Sequence, residues 1–330
     1  MVNNYLDFPV DLVVTWVDGN DKRWLEKKKQ YINDLSLNEE NRYRDLGIFQ
    51  YWFQLVEKNL PWINHIFVIT DNQTLPFEIT NNKVIFINHS DYIDKKYLPT
   101  FNSNVIEMSL GQLEGLSEHF ILSNDDMFFI KKTEKIDFFS INGNPKDIGV
   151  FNILQPTDSF TKIPFNNLVF LNKHFKKSNV IKRNFNKIFN TMYGLRNLQT
   201  LLTLPYGSIT GFYEHHQPYA HLKSTFIKLQ TEYPNMFAEQ FTHRFRTSDD
   251  ISQWLVREWN ILSGHFDPKS PRDGKVITIT SSKDLEELKA VLEKNKKIKT
   301  IVINDKEMNL SDFRKVKADL ISIFNDWIRL

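Results

Sequence analysis

The chain has 330 residues, enough for one large α/β domain or for a core domain with a substantial insertion. Its 41% hydrophobic and 25% charged residues place it in the soluble globular class, and a formal net charge of +2 gives no reason to expect bulk nucleic-acid binding. Cysteine is absent, which excludes disulfides and thiolate metal sites and fits a reducing compartment. The N-terminus reads as no secretory signal, and no window supplies the roughly 20 consecutive apolar residues of a membrane span. The expectation is a cytoplasmic protein, at most peripheral to the inner face of a membrane and its assembly machinery. Basic residues cluster at Lys173 to Lys187 and Lys289 to Lys299. Such clusters are more often solvated faces than sites for anionic lipid or polymer.

In chain order, Val10 to Val17 reads as a buried β-branched strand. A helix follows from about Arg44 to Leu60, where Phe49, Trp52, Phe53, Val56 and Leu60 recur at helical spacing and Pro61 ends the pattern. Strands are expected at His65 to Thr70, Lys83 to Ile87 and His119 to Leu122. Several stop at polar clusters: Asp18-Gly19-Asn20-Asp21, Asp71-Asn72 and Asn124-Asp125-Asp126. Residues 151–270 are aromatic and rich in Asn, Lys and His, with weaker periodicity. Within them Asp250 to Leu262 reads as a helix, with Asp250 and Gln253 in capping-box positions. The α/β grammar then returns: strand Lys275 to Thr280, helix Ser282 to Asn295, strand Thr300 to Ile303 and helix Ser311 to Trp327.

The expected fold class is α/β, a Rossmann-like or GT-A-like, mostly parallel sheet flanked by helices. Residues 1–150 would form the first part of the core, 151–270 a mainly helical insertion contributing to the site, and 271–330 a closing β-α-β-α part. The simplest arrangement is one sheet built from both ends of the chain.

Neither a Walker loop nor any GxG is present, and HExxH and GxSxG are missing too. What remains are polar groups at strand ends, where ligands of open α/β sheets bind. Turn formation is the competing reason for Asp and Asn to stand there. Adjacent carboxylates at Asp125 and Asp126 suit Mg²⁺ or Mn²⁺, hard cations that bridge substrate phosphates, and Asn304-Asp305 is a second such pair. Arginines 42, 44, 244 and 246 offer paired donors for phosphate oxygens, against a surface ion pair as the plain alternative. Of the adjacent His215 and His216, at most one can point into a given site. Spacing alone leads to a metal-and-arginine site for a phosphorylated ligand.

Longer segments are more specific. DLVVTWVDGND from Asp11 and RYRDLGIFQYWFQLVEKNLPWINHIFVITDNQ from Arg42 resemble the first two conserved blocks of the Stealth family. The likeness continues through His89 to Glu107 and Leu116 to Phe129. HHQPYAHLKS from His215 and FTHRFRTSDDISQWLVREW from Phe241 resemble the third block and its sequel, and TIVINDKE from Thr300 the fourth. That resemblance implies transfer of a sugar-1-phosphate, N-acetylhexosamine-1-phosphate being a common case, from a UDP-sugar to a hydroxyl of a glycan acceptor, with a divalent metal and release of UMP. It also implies a site. His216, Asp18, Arg44, Asp126 and Arg246 would be catalytic, and Asp21, Arg42, Asp45, Asn124 and Asn304 would bind substrate. Asp125, Asp126 and Asp305 would hold the metal. His216 is preferred over His215 because it stands two residues before Pro218.

Overall fold

The computed structural model describes residues 6–32, 44–157, 159–306 and 308–329. Its strands are β1 (Val10–Thr15), β2 (Ile66–Thr70), β3 (Val84–Asn88), β4 (His119–Asn124), β5 (Met127–Phe129), β6 (Lys146–Asp147), β7 (Tyr219–Leu222), β8 (Asp267–Pro268), β9 (Gly274–Ile279) and β10 (Thr300–Asp305). The four strands expected between residues 10 and 122 form within two residues of their expected bounds. They pair in parallel in the order β3-β2-β1-β4, and β7 adds antiparallel to β4.

Alternation along these strands decides what packs on each face. Val10, Leu12 and Val14 of β1, Ile66 and Val68 of β2 and Ile121 of β4 point into one core. It is closed by the helix Phe49–Asn59 and by the C-terminal helices Leu285–Lys294 and Leu310–Arg329. Val13, Phe67, Ile69, Phe120 and Leu122 point the other way, into a core shared with helices of residues 162–263. Asp11 shares that second face of β1 and is fully buried. Its carboxylate accepts hydrogen bonds from Asn64 Nδ2 at 2.9 Å, His65 N–H at 3.0 Å and Ser117 N–H at 2.7 Å, which offset its burial.

The helix Phe49–Asn59 buries Phe49, Trp52, Phe53 and Val56 on the first core, Trp52 completely. Burying one such side chain stabilises by about 3 kcal/mol. The helix ends where Pro61 forces Leu60 out of the helical region, to φ −127° and ψ 51°. Residues 44–48, expected to open it, instead form the loop that enters it.

Two expectations are corrected. The two ends of the chain do not share one sheet. After β4 the chain turns at Asp125-Asp126 into β5, which pairs antiparallel with β10, and β10 pairs in parallel with β9 in a separate three-stranded sheet. β10 is thereby flanked on both sides, which leaves it no free edge for the larger sheet. The mainly helical middle region also contributes β7, which completes the five-stranded sheet against β4. Also, the helix expected from Asp250 begins at Trp254. Asp250 is fully buried and spends its carboxylate on distant partners, described below, so no capping box forms.

His221 of β7 is fully buried, stacked on Phe120 with centroids 5.5 Å apart. Burial, then the Arg257 charge, pushes its pKa down to about 3. A depressed imidazole contributes stability that is complete above its unfolded pKa of 6.5 and is lost as pH falls toward the folded value. Comparing chemical denaturation at pH 7 and pH 5, the wild type should therefore lose about 2 kcal/mol more than His221→Phe. Equal losses would show that this imidazole is not the acid-labile group.

Candidate active site

The reversal through β5 sets where the carboxylates meet. β4 ends at Asn124, opposite Thr15 at the end of β1. Because β10 runs antiparallel to β5, its carboxyl end returns to the start of β5, and Ile303 N–H donates to the Asp126 carbonyl at 2.9 Å. Asn304 and Asp305 are thus carried to the Asn124-Asp125-Asp126 turn, across more than half the sequence. These residues lie in a cleft of ≈ 790 Å³ that is also lined by Arg44, Asp45, His216 and Arg246.

Crowding of carboxylates governs the electrostatics. Burial, then the Asp45 charge, pushes Asp125 up to about 7. Burial, then Asp125, pushes Asp126 up to about 8. Asp305 is raised by burial, with Arg44 opposing. Asp126 Oδ1 is buried without a hydrogen-bond partner. Among the described residues no three His, Asp or Glu side chains converge as a ready-made cation cage. A divalent ion that takes one or two carboxylates plus diphosphate oxygens and water needs no such cage. The unpartnered Oδ1 of Asp126, and its repulsion by the neighbouring Asp125, fit that donor set.

Arg44 is held at the cleft wall by the far end of the chain. It donates to the carbonyls of Met308 and Lys306, both at 3.3 Å, pairs with Asp305 at 3.4 Å and lies 5.0 Å over the Phe313 ring. Asp45 accepts the Gly47 N–H at 2.7 Å. Arg246 donates from Nη2 to Ser103 Oγ at 2.5 Å and lies 5.7 Å over the Phe160 ring.

The loop carrying Arg246 is organised by buried Asp250, whose Oδ2 accepts from Asn102 at 2.8 Å and Asn104 at 2.9 Å. Its Oδ1 contacts His243 Nδ1 at 2.8 Å and accepts from Thr247 at 3.0 Å. Asn102 also donates to the carbonyls of His243 and Phe245, at 3.1 and 3.2 Å.

His216 is placed through its neighbour. Gln217 Oε1 accepts from Thr300 of β10 at 2.6 Å, and a Cβ at position 274 would come within 2.5 Å of the Gln217 side chain. Glycine at 274 is what lets this segment close onto β9 and β10. Of the two histidines His216 lines the cleft, whereas His215 is buried and stacks on Tyr213.

Asp18 and Asp21 are not among the lining residues. Asp18 Oδ1 accepts the Asn20 N–H at 2.8 Å, and its backbone is clamped by Gln73 through two 2.9 Å bonds. Asp21 caps the helix Lys22–Lys29 by accepting from Arg23 and Trp24 N–H groups. Both therefore shape the loop that presents Trp16 and Trp24 to the cleft. Arg42 lies outside the described residues.

A 39% identical relative, the capsular polysaccharide phosphotransferase WcwK of Streptococcus pneumoniae, matches 96% of the chain and 94% of its own length. The exopolysaccharide phosphotransferase cps2G of Lactiplantibacillus plantarum is 37% identical over 96% of the chain and 93% of its own. The models of Stealth protein conserved regions 1 and 2 match residues 8–36 and 42–147. The chain belongs to the Stealth family. Membership makes it an enzyme of the phosphotransferase class. The receptor polysaccharide phosphotransferase WefC of Streptococcus gordonii is a further relative, 35% identical over 83% of the chain and 84% of its own. Among solved structures, the galactosyltransferase LgtC with donor and acceptor sugar analogues covers 94% of the chain and 95% of its own at 9% identity. Its TM-score of 0.39 is too low to speak to chemistry.

The two matched Stealth regions hold Arg44, Asp45 and the Asn124-Asp125-Asp126 turn, while His216, Arg246, Asn304 and Asp305 reach the cleft from outside them. The cleft also contains groups that sequence reasoning did not assign. Asp71, which pairs with Lys27 at 2.8 Å, ends β2 in a polar cluster whose position was legible. Glu107, pushed up to about 7 by burial with Arg246 opposing, and His89, pushed down to about 4 mainly by burial, stand at the two ends of a segment that resembles the family but were given no role there. The aromatic lining of Phe101, Phe160, Phe245 and Trp254 reads in sequence as core.

Among the described residues no helix is long and apolar enough to cross a membrane.

Proposed function

We propose that the cleft transfers a sugar-1-phosphate from a UDP-sugar to a hydroxyl of a glycan acceptor, forming a phosphodiester in cell-surface polysaccharide and releasing UMP. The observation that carries this reading is the convergence of Asp125, Asp126 and Asp305 with Arg44, Arg246 and His216 in one cleft. An acidic strand end suits a cation-bound diphosphate, and guanidiniums suit its non-bridging oxygens. The aromatic wall offers stacking surface to a nucleobase or sugar ring.

In the reaction, the acceptor oxygen forms a bond to the phosphorus nearest the sugar, in line with the bond to the UMP oxygen that breaks. The departing oxygen keeps that electron pair. His216 takes the acceptor proton; burial lowers its pKa, so near neutral pH it stands in the unprotonated form that accepts one. Arg44 and Arg246 hold and neutralise the phosphate oxygens, and catalysis is mainly positioning and charge neutralisation. Mg²⁺ or Mn²⁺ bound by Asp125, Asp126 and Asp305 would supply charge neutralisation of the diphosphate. The sugar's own carbon–oxygen bond stays intact, so the donor's anomeric configuration is retained. We place this reaction in the cytoplasm.

The test is product analysis with a UDP-N-acetylhexosamine and a glycan primer. UMP is the expected first product; EDTA should abolish its release, and added Mg²⁺ or Mn²⁺ should restore it. UDP as first product would show cleavage at the anomeric carbon, an ordinary glycosyltransferase. No consumption of any UDP-sugar would favour a polysaccharide-binding protein without catalysis.

A further inference from the structure

From Ser159 to Tyr213 the chain carries eight Lys or Arg residues and no Asp or Glu, although the whole protein is nearly neutral. Within this stretch the helix Asn197–Thr203 is built inside out. Its Thr200 and Thr203 are fully buried, while Leu198, Leu201 and Leu202 are 55%, 47% and 70% exposed. Positions i, i+3 and i+4 share one helix face, so these leucines form a single outward ridge. Leu195, Leu204 and Tyr206 extend it, Leu195 being 82% exposed.

The ridge is anchored from beneath. Thr200 Oγ1 accepts the Phe151 N–H at 3.0 Å, and Thr203 Oγ1 donates to the Thr200 carbonyl at 2.8 Å. Buried Lys177 donates to the carbonyls of Thr203 and Tyr206, the latter at 3.0 Å. Asn172 exchanges two 2.9 Å bonds with the backbone of Ile209. These contacts seat the exposed Lys173 and Lys176 beside one end of the ridge. At the other end, Arg196 and Arg272 line a ≈ 390 Å³ hollow together with Leu195.

We infer that this face docks the enzyme onto an anionic phospholipid bilayer. A protein interface is depleted of lysine at its core. An outward leucine ridge rimmed by Lys and Arg, in a stretch of sequence without a carboxylate, is instead the composition of a surface that sets apolar side chains among acyl chains and cations against lipid phosphates. The same acid-free segment contributes Phe160 to the lining of the cleft.

Vesicle flotation of the full chain, without substrate, tests this independently of any transfer activity. Binding to phosphatidylglycerol-containing vesicles should exceed binding to phosphatidylcholine vesicles at least tenfold, and should weaken when salt is raised from ~0.05 to ~0.5 M. L198S/L201S/L202S should lose at least tenfold in binding with an unchanged thermal melt. If that variant melts early, K173E/K176E, which alters only exposed side chains, should show the same loss. Equal binding by wild type and variants would overturn the inference. So would absence of vesicle binding together with a dimer, seen by sedimentation, that the leucine substitutions dissolve; the ridge would then be an interface between copies.

Discussion

Asp126→Asn should lower turnover by about 10²–10³-fold while raising the melting temperature of the metal-free protein. The loss follows from the chemistry. An amide carries no charge to hold the cation that would neutralise the diphosphate, and removing a single stabiliser of developing charge typically costs about 10²–10³. The gain follows from burial beside Asp125 and Asp305, which raises the Asp126 carboxyl from 3.8 to about 8. A carboxylate with a raised folded pKa binds its proton more tightly in the folded state, so it destabilises the fold increasingly as pH rises from the unfolded value toward the folded one. Asparagine removes that cost. A stabilisation of about 1–3 kcal/mol is expected at pH 8 and above, shrinking to nothing below pH ~4. Thermal melts across this range, beside UMP-release assays at saturating donor, read both effects. Retained turnover, or a variant less stable at high pH, would show that the residue is structural. Function bought at the cost of stability is the expected pattern for a site of converging like charges.

Asp250→Ala should act in the opposite sense on stability. It removes the acceptor for Asn102, Asn104, His243 and Thr247 at a fully buried position. Leaving several buried donors unpaired costs about 3 kcal/mol or more. Because Asn102 also ties the carbonyls of His243 and Phe245, the loop bearing Arg246 should shift with it. A displaced phosphate clamp lowers kcat/KM by about 10²-fold. Denaturation at pH 7 measures the first effect and initial rates the second. In a background already carrying Arg246→Ala the kinetic loss should largely vanish, since both substitutions act through one group. Additive losses would mean that Asp250 supports only the fold.

Much of the fold was legible because local pattern suffices for it. The apolar runs at β1, β2 and β4 alternate between two cores, and the spacing of Phe49, Trp52, Phe53 and Val56 specifies a helix that Pro61 ends. Asp250 misled for a physical reason: an Asp three residues before Gln is a capping pattern, but partners nearly 150 residues away compete better for its carboxylate. The same competition separates Asp18 and Asp21, satisfied within their own loop, from Asp125 and Asp126, whose turn has no such local donors to spare for Asp126 Oδ1. Glu107 and the aromatic wall were hidden because short amphipathic patterns do not say whether a buried face meets a core or a cleft.

By itself the sequence determined the main strands and helices of both ends of the chain, the family and the acidic and basic groups available for phosphate chemistry. Only the tertiary structure decided which of them meet. The turn at Asp125-Asp126 sends β5 antiparallel to β10, and that single reversal brings Asn304 and Asp305 back to the end of β4. Strand pairing across ~180 residues depends on edges and register, which no local pattern contains. Exposure is likewise global: the leucines of Asn197–Thr203 look like core until the packing shows that the threonines between them face inward.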